Sequence, residues 1–288
     1  MRARARVHGA ITIVNAIATG KGAALGIGLE TEARVELVES DREVSVTVQG
    51  EKDVDTALAQ CAVREALSRF SITDCGARVE TLSEIPIAKG LKSSSAAANA
   101  IAMATFAALG KPVDDTTLIQ TGVKAALRAG VTITGAFDDA AASYFGGAVV
   151  TDNLERRILR RDEVHEELRI LILVPEGRYY SGSVNIHQAQ SIRMIAEEAF
   201  SLSVRGKYLE ALAINGLAYS AALGFDPRPT VAALRAGALS AGLSGKGPAT
   251  VALCEEEQAD AVSRAWNKEG GMIIQTKVNT RKAELLPW

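Results

Sequence analysis

Three consecutive serines, Ser93, Ser94 and Ser95, follow Gly90 and open a run of alanines in the stretch IPIAKGLKSSSAAANAIAM, residues 85–103. Pro86 bounds the stretch and Gly90 lets the chain turn. A helix N-terminus presents N–H groups without intrahelical partners and a partial positive charge, so it attracts anions. Glycine lets the backbone approach an anion closely, and serine hydroxyls bind phosphate oxygens or a metal ion. The segment reads as a phosphate-binding loop and points to a nucleotide-dependent kinase. The plainer alternative is an ordinary helix start capped by serine.

Three further clusters could carry chemistry. Asp138 and Asp139 head an apolar helix in GAFDDAAASYFGG, residues 135–147. Capping explains one acid in a first turn, but two adjacent acids are less easily dismissed. Gly242, Gly245 and Gly247 with Pro248 surround LSGKGPA, a turn that permits positive φ and close backbone approach. A fourth segment, GAITIVNAIATGKGAALGI, covers residues 9–27. The Walker A pattern is absent: Lys21, Lys111 and Lys246 each follow glycine, but Gly, Pro and Gly come next. The Rossmann glycine spacing also fails at residues 20–28.

The elements that must position these groups follow from periodicity. Alternation marks strands at 2–7, 33–37 and 43–48, with others at 77–82 and 148–151. Helical patterns fill 54–70, 94–109, 114–129 (capped by Asp114) and 137–144, with a loop at 132–136. Composition shifts near Asn153, and the charged stretch 155–167 reads as a surface connection or edge hairpin. Beyond it come a strand at 168–174, helices at 184–203, 208–223 and 230–241, a strand at 249–254, a helix at 256–268 and a strand at 272–278. This mixed order implies an α+β fold with two lobes rather than a doubly wound α/β sheet.

Composition narrows the classes. The chain has 288 residues, 48% apolar and 23% charged, with a net charge of −2, so no global field draws it to nucleic acid or an anionic membrane. Aromatics at 5% argue against a base-stacking surface. Cys61, Cys75 and Cys254 lie far apart and look like thiols in a reducing, cytoplasmic compartment. Arg2, Arg4 and Arg6 before an apolar stretch at 10–18 could mark a leader, but their strict alternation with Ala3, Ala5 and Val7 favours a strand. No run reaches the ~20 apolar residues of a membrane span.

Residues 86–96 resemble the second motif of the GHMP kinases, usually P-x-x-x-G-L-G-S-S-A, with Lys92 where a small residue is usual and Ser95 at the usual alanine. Residues 243–249 resemble that family's third motif. Residues 135–147 resemble the helix that carries an aspartate a fixed distance before a Gly-Gly pair; counting back from Gly146 reaches Asp139, with Asp138 one residue off. Residues 9–27 stand where the first motif belongs, without its early lysine; Ala10 is near that place. Thr12, Asn15, Ala16, Gly20, Lys21 and Gly22, together with residues 134–139, resemble the archaeal-type shikimate kinases of that superfamily.

The resemblance implies a two-lobed GHMP kinase fold: a ribosomal-protein-like β/α lobe over 1–153 with the ATP loop, and a ferredoxin-like lobe over 154–288. It implies ATP and Mg²⁺, with Pro86, Lys89, Gly90, Leu91, Lys92, Ser93, Ser94, Ser95 and Ala96 around the phosphates and Ser94 on the metal. Lys92 would add a cation near the β- and γ-phosphates. Asp139, with Asp138 beside it, would orient or deprotonate the hydroxyl of shikimate. Asn15, Thr19, Lys21, Thr134, Arg178, Gly245 and Gly247 are the expected acceptor contacts; Tyr179 and Tyr180 either flank them or pack between the lobes. His187 reads as a surface or packing residue. Homoserine kinase is the nearest alternative, although its members usually carry Asn where Asp139 stands. A non-catalytic RNA binder is the alternative of another class, disfavoured by 34 acidic against 32 basic residues. No nucleic-acid or membrane partner is expected.

Overall fold

A computed structural model describes residues 1–39, 41–50, 54–87, 89–132, 134–164, 167–176 and 186–288. Its spine is a long antiparallel pair, β1 (Arg2–Val14) and β2 (Lys21–Glu39). Alternation near the start of β1 buries Ala5 and Val7 and turns the arginines outward, where Arg4 and Arg6 pair with Glu32 on β2. Past a bulge between His8 and Gly9 the strand is buried throughout. Its apolar half is thus core sheet.

The other strands gather on this pair. β2 pairs with β4 (Cys75–Ser83) at one end and with β5 (Ala148–Asp152) at the other. β3 (Val44–Val48) runs parallel to β4, and parallel neighbours require a crossover, which α1 (Ala57–Ser68) supplies. α2 (Ser93–Ala108) packs on β1 and β2 between α1 and α3 (Asp115–Arg128). Its run of small residues suits that place, because a helix buried on nearly all sides needs side chains that let its neighbours close in. Asp114 caps α3 as expected, accepting from Thr117 N at 2.9 Å. α4 (Phe137–Phe145) ends at Gly146, whose φ of +72° stops the helix.

β6 (Arg157–Asp162) pairs with β5, so the charged stretch forms an edge hairpin. The second lobe comprises β7 (Arg169–Val174), α5 (Ile186–Gln190), α6 (Arg193–Val204), α7 (Tyr208–Leu223), α8 (Arg228–Arg235), β8 (Ser240–Leu243), β9 (Thr250–Cys254), α9 (Glu256–Trp266) and β10 (Met272–Lys277). Its antiparallel sheet has the order β10-β7-β9-β8, the ferredoxin-like arrangement. β11 (Glu284–Leu286) then returns to pair with β1. The first sheet therefore draws strands from both sides of residue 153. Among the described residues no helix is long and apolar enough to cross a membrane.

Two expected helices differ. The pattern at 230–241 gives a helix only to Arg235; Gly237 has φ +99° and residues 240–243 form β8. Small residues there fit tight sheet packing as well as they fit a helix. Gly216 of α7 faces Gly242 of β8 so closely that a Cβ on Gly216 would lie 2.3 Å from the Gly242 Cα. The helix expected at 184–203 is broken between Gln190 and Arg193.

Replacing Gly216 by alanine should push α7 off β8 and cost about 1–3 kcal/mol, the usual penalty of overpacking, in urea unfolding. An unchanged midpoint would mean that the helix and strand part without cost.

Candidate active site

α2 begins beneath a cleft of about 260 Å³. The three serines do not cap the helix; they form its first turn. The N-cap is Lys92, held in the left-handed region at φ +64°, ψ +28° with no side-chain capping bond. The first intrahelical bond at this end runs from Ala96 N to Lys92 O, so the N–H groups of Ser93, Ser94 and Ser95 precede the ladder. All three serines line the cleft, as do Gly90 and Lys92. Leu91 and Ala96 are fully buried and anchor the turn in the core. Pro86 and Lys89 lie outside the cleft lining.

The turn before α2 is fixed by the second lobe. Ser244 Oγ donates to Gly90 O at 2.8 Å and accepts from Thr12 N at 3.2 Å. Ala249 N donates to Lys89 O at 3.3 Å. Gly90 has φ +83°, and a Cβ there would fall 2.4 Å from Ser244 O. Only glycine fits both the conformation and the approach.

Opposite this turn lie Asp138 and Asp139, both in the first turn of α4 and both buried. Neither caps the helix. Asp138 forms a reciprocal pair with Asn153: its carboxylate accepts from Asn153 Nδ2 at 2.8 Å, and its N–H donates to Asn153 Oδ1 at 3.2 Å. Thr151 Oγ1 donates to the same Asn153 oxygen at 2.6 Å. Gly22 makes room for the acid, since a Cβ there would lie 2.3 Å from Asp138 Oδ2. Burial, reinforced by the charge of Asp139, pushes the Asp138 carboxyl up to about 7.

Asp139 is held differently. Lys92 Nζ lies 3.0 Å from its Oδ2, and both side chains are about one-tenth exposed, 12% and 10%. Asp139 Oδ1 is buried and has no hydrogen-bond partner among the described residues. One face of the cleft thus offers helix N–H groups and hydroxyls. The other offers a carboxylate with one oxygen paired to a cation and one buried oxygen that has no hydrogen-bond partner among the described residues. That arrangement suits phosphoryl transfer to an alcohol.

The expected acceptor contacts divide. Asn15, Thr134, Gly245 and Gly247 line the cleft. The Asn15 side chain is spent on structure: Nδ2 donates to Gly245 O at 2.8 Å and Oδ1 accepts from Ile17 N at 3.0 Å. Thr19 and Lys21 instead line a separate depression with Arg193, Glu197 and Phe200. The Thr19 hydroxyl bonds the Lys21 backbone, and the Lys21 ammonium sits over the Phe200 ring at 5.7 Å. Arg178, Tyr179 and Tyr180 lie outside the described residues. Sequence reasoning did not assign Lys246, which lines the cleft, or Asn153, which holds Asp138. Lys246 stands between two glycines of a recognised turn, and that signal was available. Nothing in the sequence links Asn153 to Asp138.

An acid whose folded pKa is raised favours folding fully only below its unfolded value near 3.8, and that contribution is lost as pH rises through about 7. Asp138→Asn should therefore flatten the fall in stability between pH 4 and pH 7. Urea unfolding of both proteins at pH 5 and pH 8 checks this. Equal pH slopes would place the titration elsewhere.

Comparison with known proteins agrees with this geometry. Residues 57–147 match the family model of the GHMP kinases N terminal domain, and residues 228–271 match GHMP kinases C terminal. A shikimate kinase of Methanothrix thermoacetophila is 47% identical over 99% of this chain and 96% of its own length. A shikimate kinase of Pyrococcus abyssi is 46% identical over 95% and 98%. In fold, the crystal structure of homoserine kinase from Cytophaga hutchinsonii covers 99% of this chain and 97% of its own with a TM-score of 0.77 at 18% identity. The L. major mevalonate kinase in complex with R-mevalonate covers 96% of each chain with a TM-score of 0.74 at 15% identity. Identity at this level over almost the full length of both proteins, with both lobes of the fold in place, makes this chain a member of the GHMP kinases, in the branch of the archaeal shikimate kinases.

Proposed function

We propose that this protein is a shikimate kinase, transferring the γ-phosphoryl group of ATP to the 3-hydroxyl of shikimate and releasing ADP. Full-length relatives carrying that name support the substrate. The observation that carries the chemistry is Asp139, with one oxygen paired to Lys92 and the other unpartnered at a cleft whose opposite wall is a helix N-terminus. The likeness to homoserine kinase is a likeness of fold, at 18% identity, and gives that alternative substrate no weight.

The N–H groups of Ser93, Ser94 and Ser95 bind phosphate oxygens, where helix polarity favours negative charge. The hydroxyl of Ser94 in the cleft wall is a hard oxygen donor that suits Mg²⁺. No cluster of three acidic, His or Cys side chains competes for the metal among the described residues, so phosphates and water complete such a site. Bound Mg²⁺ supplies neutralisation of phosphate charge. Asp139 Oδ1 accepts the hydrogen bond of the acceptor hydroxyl and takes its proton as the new O–P bond forms. Lys92 fixes that carboxylate and places a cation beside the transferring group. Asp138, pushed towards its neutral form by burial and by Asp139, lowers the negative charge beside the reacting acid. Three cysteines without a disulfide fit a reducing compartment, and we place the reaction in the cytoplasm.

With Mg²⁺ and ATP, shikimate should stimulate ADP release while homoserine does not; stimulation by homoserine alone would overturn the assignment. Asp139→Asn should lower kcat by roughly 10²–10⁴-fold, the range for a positioned acid–base group, with ATP binding nearly intact. Turnover within about threefold of the parent would remove that role.

A further inference from the structure

Lys246 is the charged group of the cleft that the mechanism above does not use. It lines the same cavity as Lys92, Asp138 and Asp139 and is half-buried. Its backbone is held on a rigid turn. Gly245 and Gly247 flank it at φ +60° and +74°, and Gly247 N donates to Ser244 O at 3.0 Å. The turn is tied to the first lobe through Asn15 Nδ2 to Gly245 O and Ser244 Oγ to Gly90 O, each at 2.8 Å. Gly247 packs against Phe225, where a Cβ would come within 2.8 Å of the ring.

The charges of the cleft leave this lysine over. Lys92 is bonded to Asp139, and Asp138 has its partner in Asn153. Lys92 and Lys246 are the two cationic side chains among the described lining residues, and Lys246 makes no hydrogen bond or ion pair among the described residues. Burial, together with the charge of Lys92, pulls its pKa down against the opposing charge of Asp139. The carboxylate that acts on it, Asp139, is already paired with Lys92, so this half-buried ammonium favours a further anion beside it.

Two anions enter the cleft of a kinase whose alcohol carries a carboxylate. The phosphates already have a receptor in the first turn of α2. The rest of the described wall offers neutral polar groups, among them Thr12, with its buried Oγ1 unpartnered, and Thr134. Such groups suit the hydroxyls of an acceptor but cannot neutralise a carboxylate. We propose that Lys246 is the carboxylate anchor of the acceptor site, a binding residue that orients the alcohol so that its hydroxyl meets Asp139. This rests on the shikimate kinase reading of the same cleft.

The test compares the wild type with Lys246→Met and Lys246→Arg, using shikimate and shikimate methyl ester as acceptors. Loss of a charged contact of this kind is worth roughly 10–100-fold. Lys246→Met should raise the KM for shikimate by that factor and leave the KM for ATP within about threefold. The preference of the wild type for the acid over the ester should collapse towards unity, and Lys246→Arg should restore part of it. A rise confined to the KM for ATP assigns the lysine to phosphate and overturns the proposal. An unchanged KM for shikimate, or an acid-over-ester preference that survives in Lys246→Met, also overturns it. If the wild type turns over shikimate in either case, only the anchor is refuted. A wild type inert towards shikimate refutes the kinase reading, and the anchor falls with it.

Discussion

Two neighbouring carboxylates inside an apolar helix set the constraint that the rest of the cleft answers. Asp138 and Asp139 are both buried, and burial together with the charge of Asp139 penalises the charge on Asp138. The fold resolves this by treating them differently. Asp138 is turned to Asn153, buried beside Gly22, and is pushed towards its neutral form. Asp139 is turned to Lys92 and keeps a cation at 3.0 Å. One acid is stored and the other presented, and a pair of acids held in unlike surroundings can take unlike roles.

Lys92 connects the two walls of the cleft. It ends the loop before α2, and its side chain reaches the carboxylate opposite. Its backbone occupies the left-handed region, where a side chain carries a cost that glycine does not. From this conformation its side chain forms the ion pair with Asp139. Lys92 comes from the segment that resembles the second motif, and it is the lysine that stands at the acid.

The second lobe contributes rigidity as well as surface. Ser244, Gly245 and Ala249 bond to Gly90, Asn15 and Lys89, so the segment 244–249 locks the loop before α2 to the β1–β2 connection. Tyr219 of α7 extends the same clamp, accepting from Ala18 N and donating to Asn15 O, each at 3.1 Å. Asn15 therefore shapes the cleft chiefly by holding its walls. Thr19 and Lys21, only a few residues along, are carried out of the cleft by the turn that starts β2.

By itself the sequence determined the local features: the alternation of β1, the small-residue helix α2, the Asp114 cap, the glycine turns, and the order of four chemically marked segments. These depend on residue type and spacing, which the linear chain carries. It misplaced β8 and missed β11, because short strands with small or mixed residues acquire their state from the sheet they join. Tertiary structure alone decided which atoms meet across the cleft. Lys92 and Asp139 are far apart in sequence, as are Ser244 and Gly90 or Asp138 and Asn153, and no periodicity encodes such pairs. Their pairing follows from how two lobes pack around one buried helix, and with it came the difference between two acids that look alike in the chain.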